Sequence, residues 1–182
     1  AAIADGRLHD GAAVQDWLAE ILRHGSGWQD AVLLASGLRG GDLDALSDLA
    51  RALAGSAERL SETLDQGTAF ARTVAHVTGR PLPPRPLPLA VAEAATPFAL
   101  PVAEVVALYL HAFASNLVTI AVRAVPLGQS QGQAVLTALH PLIGHLANRA
   151  TTATPDDLAS SAFAADLTAM AHETLQPRLF RT

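Results

Sequence analysis

Seven histidines are the residues of this 182-residue, cysteine-free chain best suited to chemistry: His9, His24, His76, His111, His140, His145 and His172. An imidazole can ligate a divalent metal or move a proton near neutral pH. Either task needs other groups converging on the same point. His140 and His145 are five residues apart, which puts them on different sides of an ideal helix, although a kink at Pro141 would change their relation. His172 and Glu173 are adjacent and need not share a face. Asp156 and Asp157 follow Thr154 and Pro155, so they read as acids at the positive end of a new helix rather than an acid–base pair. No G-x-x-x-x-G-K-[ST] loop, G-x-S-x-G elbow, H-E-x-x-H helix or EF-hand loop is present. Capping, surface exposure or satisfied core hydrogen bonds account for the histidines. We therefore expect no catalytic residue, no metal-ligand set and no stably bound cofactor.

Other residues are suited to recognition. Tyr109, Asn116 and Arg123 are seven apart, and on a helix each such step falls about 20° short of alignment. They lie on one stripe with Thr119 beside it, while Val106, Phe113, Leu117 and Ile120 fill another face. A buried polar group without a partner costs about 1–3 kcal/mol, so the stripe must meet partners. These are either groups of neighbouring helices in the same chain or groups of another copy or another protein. Beyond the stripe, Pro126 stops the helix and Gly128 permits a reversal. Gln129, Gln131 and Gln133 cluster at the turn, and Ser130 with Gln133 forms an S-x-x-Q box that starts the next helix. At the chain's end, Arg178, Leu179, Phe180 and Arg181 form a short tail. It is either unstructured or docked in a groove, with Leu179 and Phe180 as anchors and the arginines paired to acids.

The elements that must position these residues read as helices throughout. Val14, Trp17, Leu18, Ile21 and Leu22 follow helical spacing behind Asp10 as N-cap. A second helix covers 28–38, a third follows Asp42, and a fourth runs from beyond Gly55-Ser56 to about Thr78 through Leu60, Leu64, Phe70, Val74 and Val77. Five prolines between Gly79 and Pro88 make a stiff extended connector between two halves of a bundle. A short helix covers about 89–96, and Pro101 opens a long central helix. Spacing from Val135 to Leu146 carries a further helix through Pro141, with a kink expected there, and a last one is expected over 163–175. No segment alternates like a strand. The expected fold is all-α: one domain spanning 1–182, a bundle of about eight to nine helices without a sheet, with its connector at 79–88 and its tail at 176–182.

Bulk properties exclude several classes. The net charge of −5 gives no footprint for nucleic acid or anionic membrane. From Val105 to Val122 there is no formal charge, the lower edge of a membrane span, but His111, Ser115 and Asn116 interrupt it. A helix buried in a bundle or a subunit interface fits better. With no cysteine and no visible leader, a cytoplasmic location is the default expectation, although the chain begins without Met.

Three blocks resemble one known family. AVRAVPLGQSQGQ with the preceding YLHAFASNLV, the C-terminal MAHETLQPRLFRT, and SETLDQGTAFAR between Ser61 and Arg72 are similar to motifs of the urease accessory protein UreF family, in the same order. The resemblance implies an all-helical, homodimeric, non-enzymatic protein. It implies binding to a second accessory protein, UreD (also called UreH), recruitment of the GTPase UreG, and help in delivering nickel into apo-urease. A role coupling GTP hydrolysis by UreG to nickel transfer, through an internal passage leading to UreD, belongs to the same implication. Carried onto this chain, the Arg123–Gln133 turn with Tyr109 and Asn116 behind it would serve the homodimer or UreG contact. His172, Glu173, Arg178, Leu179, Phe180 and Arg181 would serve UreD. Arg123 is cationic and would repel Ni²⁺, so interface hydrogen bonding suits it. Members usually carry a further N-terminal segment, and this chain begins just after its place. Where the family often has a glycine near 89–95, this chain has Ala92. On the residues alone, two other readings stay open: a helical scaffold unrelated to urease, and a metal-dependent hydrolase built on the histidine-bearing kinked helix.

Overall fold

The computed structural model describes residues 8–125 and 127–158. Seven α-helices follow one another there: α1 (Gly11–His24), α2 (Ser26–Leu38), α3 (Leu43–Ala52), α4 (Ala57–Thr78), α5 (Leu87–Ala95), α6 (Val102–Ala124) and α7 (Gln129–Ala150). A 3₁₀ turn, Thr96–Phe98, joins α5 to the approach to α6. Among the described residues there is no strand, so the all-α reading holds.

Local chemistry sets the boundaries. Asp10 Oδ1 accepts the Ala13 N–H at 2.8 Å, Asp42 Oδ1 accepts those of Asp44 and Ala45, and Ser56 Oγ accepts that of Arg59. Each replaces a donor partner that the first turn of a helix lacks. Gly79, at φ 71°, ends α4 in the left-handed region. Thr154 N–H donates to Asp157 Oδ2 at 2.7 Å, which makes Thr154-Pro155-Asp156-Asp157 the helix start that its composition predicts. The expected helix over 163–175 lies outside the described residues.

α2 is the centre of the core. Ala31, Val32, Leu34 and Ala35 are fully buried, and α1, α5, α6 and α7 all pack around it. Two close approaches set the spacing. A Cβ on Gly37 of α2 would meet the Ala92 Cβ at 2.9 Å, and one on Gly132 of α7 would meet Val122 Cγ2 at 2.6 Å. The tight packing at Ala92 is therefore kept, with the glycine on the opposite helix.

The 79–88 connector is not a free spacer between two halves. A Cβ on Gly67 of α4 would run into the Arg85 carbonyl, and Thr63 Oγ1 accepts the Leu87 N–H at 3.2 Å. Pro86 is fully buried. The short helix starts at Leu87 rather than 89, with Pro88 in its first turn where no donor is lost. α4 consequently buries its small residues Thr63, Gly67 and Ala71. Its larger apolar residues are only partly covered, and Val77 is 75% exposed. Phe70 and Val74 line a groove of about 480 Å³ with Val91, Ala94 and Phe98.

Arginines close two helix ends from a distance. Arg39 donates to the carbonyls of Ala150, Thr151 and Ala153 at 2.6–2.9 Å, and Arg80 to those of Glu93 and Ala94 at 3.0 and 3.1 Å. Both supply the carbonyls that a helix leaves without partners, where positive charge also favours the dipole.

Candidate partner-binding surface and the buried clamp behind it

The heptad residues of α6 do not share one environment. Tyr109 is buried, whereas Asn116 and Arg123 are exposed, as is Thr119. The buried residues of α6 are Val105, Val106, Tyr109, Leu110, Ala114, Val118 and Ala121. Many lie four apart, and each four-residue step advances about 40° around the helix. The buried stripe thus moves around α6 while the heptad set lags behind it. Near its start α6 meets α2 through Tyr109; near its end Val118 and Val122 meet Gly132 of α7. Of the four residues expected on a common apolar face, Val106 is buried and Phe113 and Leu117 are half-buried. Ile120 is 54% exposed, a correction with the same cause.

Tyr109 takes the intramolecular alternative. Its hydroxyl donates to Asp30 Oδ2 at 2.7 Å, and Arg59 Nη2 donates to the same oxygen at 3.0 Å. This clamp ties α2, α4 and α6 together. Burial pushes the Asp30 carboxyl above the usual carboxylate range, an effect that the Arg59 charge and the Tyr109 hydrogen bond oppose. Burial, reinforced by the adjacent carboxylate, raises the Tyr109 phenol well above its ordinary value. Tyr109 is therefore not available to a partner's surface, which corrects its assignment as an interface residue. Asp30 and Arg59 were not among the expected site residues. The signal was there: Asp30 is the one charged residue in the apolar run SGWQDAVLLASGL, and such a residue needs a cation or donor.

The bend between α6 and α7 is surface. Gly128, Gln129 and Gln133 are exposed, and Pro126 lies outside the described residues. α7 begins at Gln129, and Gln131 Oε1 accepts the Gly128 N–H at 3.0 Å. The glutamine arm of a capping box is present, but three residues after Gly128 rather than after Ser130. Gly128 has no side chain to return the bond. Ser130 and Gln133 are both exposed within α7. The helix continues through Pro141.

Around this bend the outer face of α6 is mixed. Leu108 and Ile120, 68% and 54% exposed, flank Asn116, Thr119 and Arg123. α6 is also long and apolar enough to cross a membrane, with a mean hydropathy of 1.8 over its richest window. One of its faces instead packs on α2 and α7. The other expected surface residues, His172, Glu173, Arg178, Leu179, Phe180 and Arg181, lie outside the described residues. Among the described residues no group of three or more His, Asp or Glu side chains converges on one point.

Relatives place the chain. The UreF family model matches residues 8–140. The urease accessory protein UreF of Cereibacter sphaeroides is 60% identical over 181 residues, covering 100% of this chain and 86% of that protein. That of Paracoccus denitrificans is 51% identical over 172 residues, with 94% and 80% covered. That of a Jannaschia species is 45% identical over 183 residues, with 100% and 83% covered. With a family model across most of its length and relatives this similar from end to end, the chain belongs to the UreF family of urease accessory proteins.

Proposed function

We propose that this urease accessory protein is a non-catalytic cytoplasmic adaptor. It forms a homodimer, binds UreD (UreH), recruits the GTPase UreG and assists nickel insertion into apo-urease. Nickel is cargo handled by the assembly. The observation that supports this reading best is the outer face of α6. It exposes Leu108 and Ile120 on either side of Asn116, Thr119 and Arg123, and it runs into the glutamine-bearing bend. Exposed apolar side chains interleaved with hydrogen-bonding groups and an arginine are the composition of a protein–protein contact. The polar group of α6 that does need an internal partner already has one in Asp30, while Asn116 and Arg123 stand exposed where a second molecule can meet them.

The test is a double substitution, Leu108→Asp with Ile120→Asp, in the full chain. Light scattering should give the monomer mass, and capture of UreG by the UreD-bound chain should fall, with helicity by circular dichroism retained. A dimer of normal mass that still captures UreG would remove this face from the proposal. The UreD contact is assigned to the C-terminal segment, and deleting residues 178–182 should abolish co-purification with UreD. Unchanged co-purification would move that contact elsewhere.

A further inference from the structure

α6 and α7 run antiparallel, and the close approach of Gly132 to Val118 and Val122 holds their register. Two turns further along the pair, His111 and His140 face each other across the helix–helix seam. Their ring centroids are 5.3 Å apart and their planes are inclined at 43°. His111 is half-buried and His140 exposed. Among the described residues neither ring has a hydrogen bond or an ion pair, so both keep an uncommitted nitrogen lone pair when neutral.

We propose that His111 and His140 form a two-imidazole binding site for a borderline-soft divalent cation such as Ni²⁺ or Zn²⁺. Two imidazoles bound to one tetrahedral ion, with nitrogens about 2 Å from it, hold their ring centroids roughly 5 Å apart. The observed spacing meets that requirement before any ion binds. Neutral imidazole suits Zn²⁺, Cu²⁺ and Ni²⁺, whereas Mg²⁺ and Ca²⁺ prefer oxygen donors. No arginine lies within four residues of either histidine on its own helix, since the flanks read ALYL-His111-AFAS and LTAL-His140-PLIG. Among the described residues no third His, Asp or Glu completes the set, so water would fill the remaining positions. The site is open, and a donor on another molecule can displace that water. Spacing along one helix could not reveal this pair, because its members come from two helices. His140 and His145, neighbours in sequence but on different sides of an ideal helix, contribute only one member to it.

The experiment uses the untagged, chelator-stripped full chain and NiCl₂ or ZnCl₂ alone, followed by calorimetry. The expected result is one ion per chain at this site. His111→Ala and His140→Ala should each weaken it by at least about tenfold, the loss that even outer-shell changes cause at metal sites. The double variant should bind more weakly than either single one, and His145→Ala and His24→Ala should bind as the parent does. In the unsubstituted protein, the ring ¹⁵N signals of two histidines should shift together on adding Zn²⁺, and His111→Gln and His140→Gln should identify them. Binding that is indifferent to both substitutions overturns the proposal, as does the absence of binding or the shift of a different histidine pair. In that case the two rings are only an aromatic contact. Because no accessory protein is present in the assay, failure here leaves the adaptor reading standing, and failure to capture UreD or UreG leaves the metal site standing.

Discussion

Tyr109 and Arg123 sit two heptads apart on one helix, yet they belong to different parts of the protein. Tyr109 closes a three-helix clamp with Asp30 and Arg59, with every participant hydrogen-bonded inside the chain. Arg123 stands on the surface beside Asn116 and Thr119. The contrast shows how a helix divides its polar residues between fold and recognition. A seven-residue repeat loses about 20° per step, while a stripe built on four-residue steps gains about 40°. Residues that share a heptad position therefore part company once the helix changes neighbours. Ile120 makes the same point from the apolar side, because it projects close to the direction of Tyr109 and is nonetheless more than half exposed.

The comparison can be broken from the buried end. Tyr109→Ala removes a buried aromatic and leaves Asp30 with one donor fewer. It should cost about 3–5 kcal/mol of stability, the range for emptying an aromatic core site, measured by urea unfolding with an unchanged slope. Tyr109→Phe keeps the ring and deletes only the donor to a charged acceptor. It should cost about 1.5–3 kcal/mol. If it proves neutral, Arg59 alone satisfies Asp30 and the clamp has two members rather than three.

An alkaline titration sharpens the same end. The chain has a single tyrosine, so phenolate absorbance reports Tyr109 alone. Its folded pKa is raised well above the ordinary value of 10.0. Between that value and the raised one, the native phenol holds a proton that the unfolded chain has lost. Stability is therefore complete below about pH 10 and falls as pH rises through this window. Phenolate should appear only as helicity is lost. A titration near pH 10 with helicity intact would show that the hydroxyl is open to solvent. At the exposed end, Arg123→Ala should leave the unfolding midpoint unchanged and still weaken the homodimer or UreG capture. A shifted midpoint with normal assembly would return Arg123 to the fold.

Much of this was legible in the chain. Helical spacing with caps at Asp10 and Asp42 and the start signal at Thr154 predicts helix starts that the structure has, because capping and amphipathic burial act within a few residues. The UreF family is legible because its motifs are long and ordered along the chain. Local rules fail where a second segment decides. The capping glutamine is Gln131, because the turn places Gly128 at the N-cap, while Ser130-x-x-Gln133 satisfies the pattern two residues too late. The proline-rich connector looks like a spacer until Gly67 and Thr63 of α4 are seen to hold it.

The sequence by itself determined the described helices, several of their ends and the family, since each depends on neighbours in the chain or on motifs written out in order. Only the tertiary structure decided that Tyr109 binds inward to Asp30, that Gly37 supplies the room Ala92 needs, and that His111 faces His140. Each of these joins residues dozens of positions apart, at least 29 in the last case. Such pairings follow from the crossing of packed helices, which no periodicity along a single helix encodes.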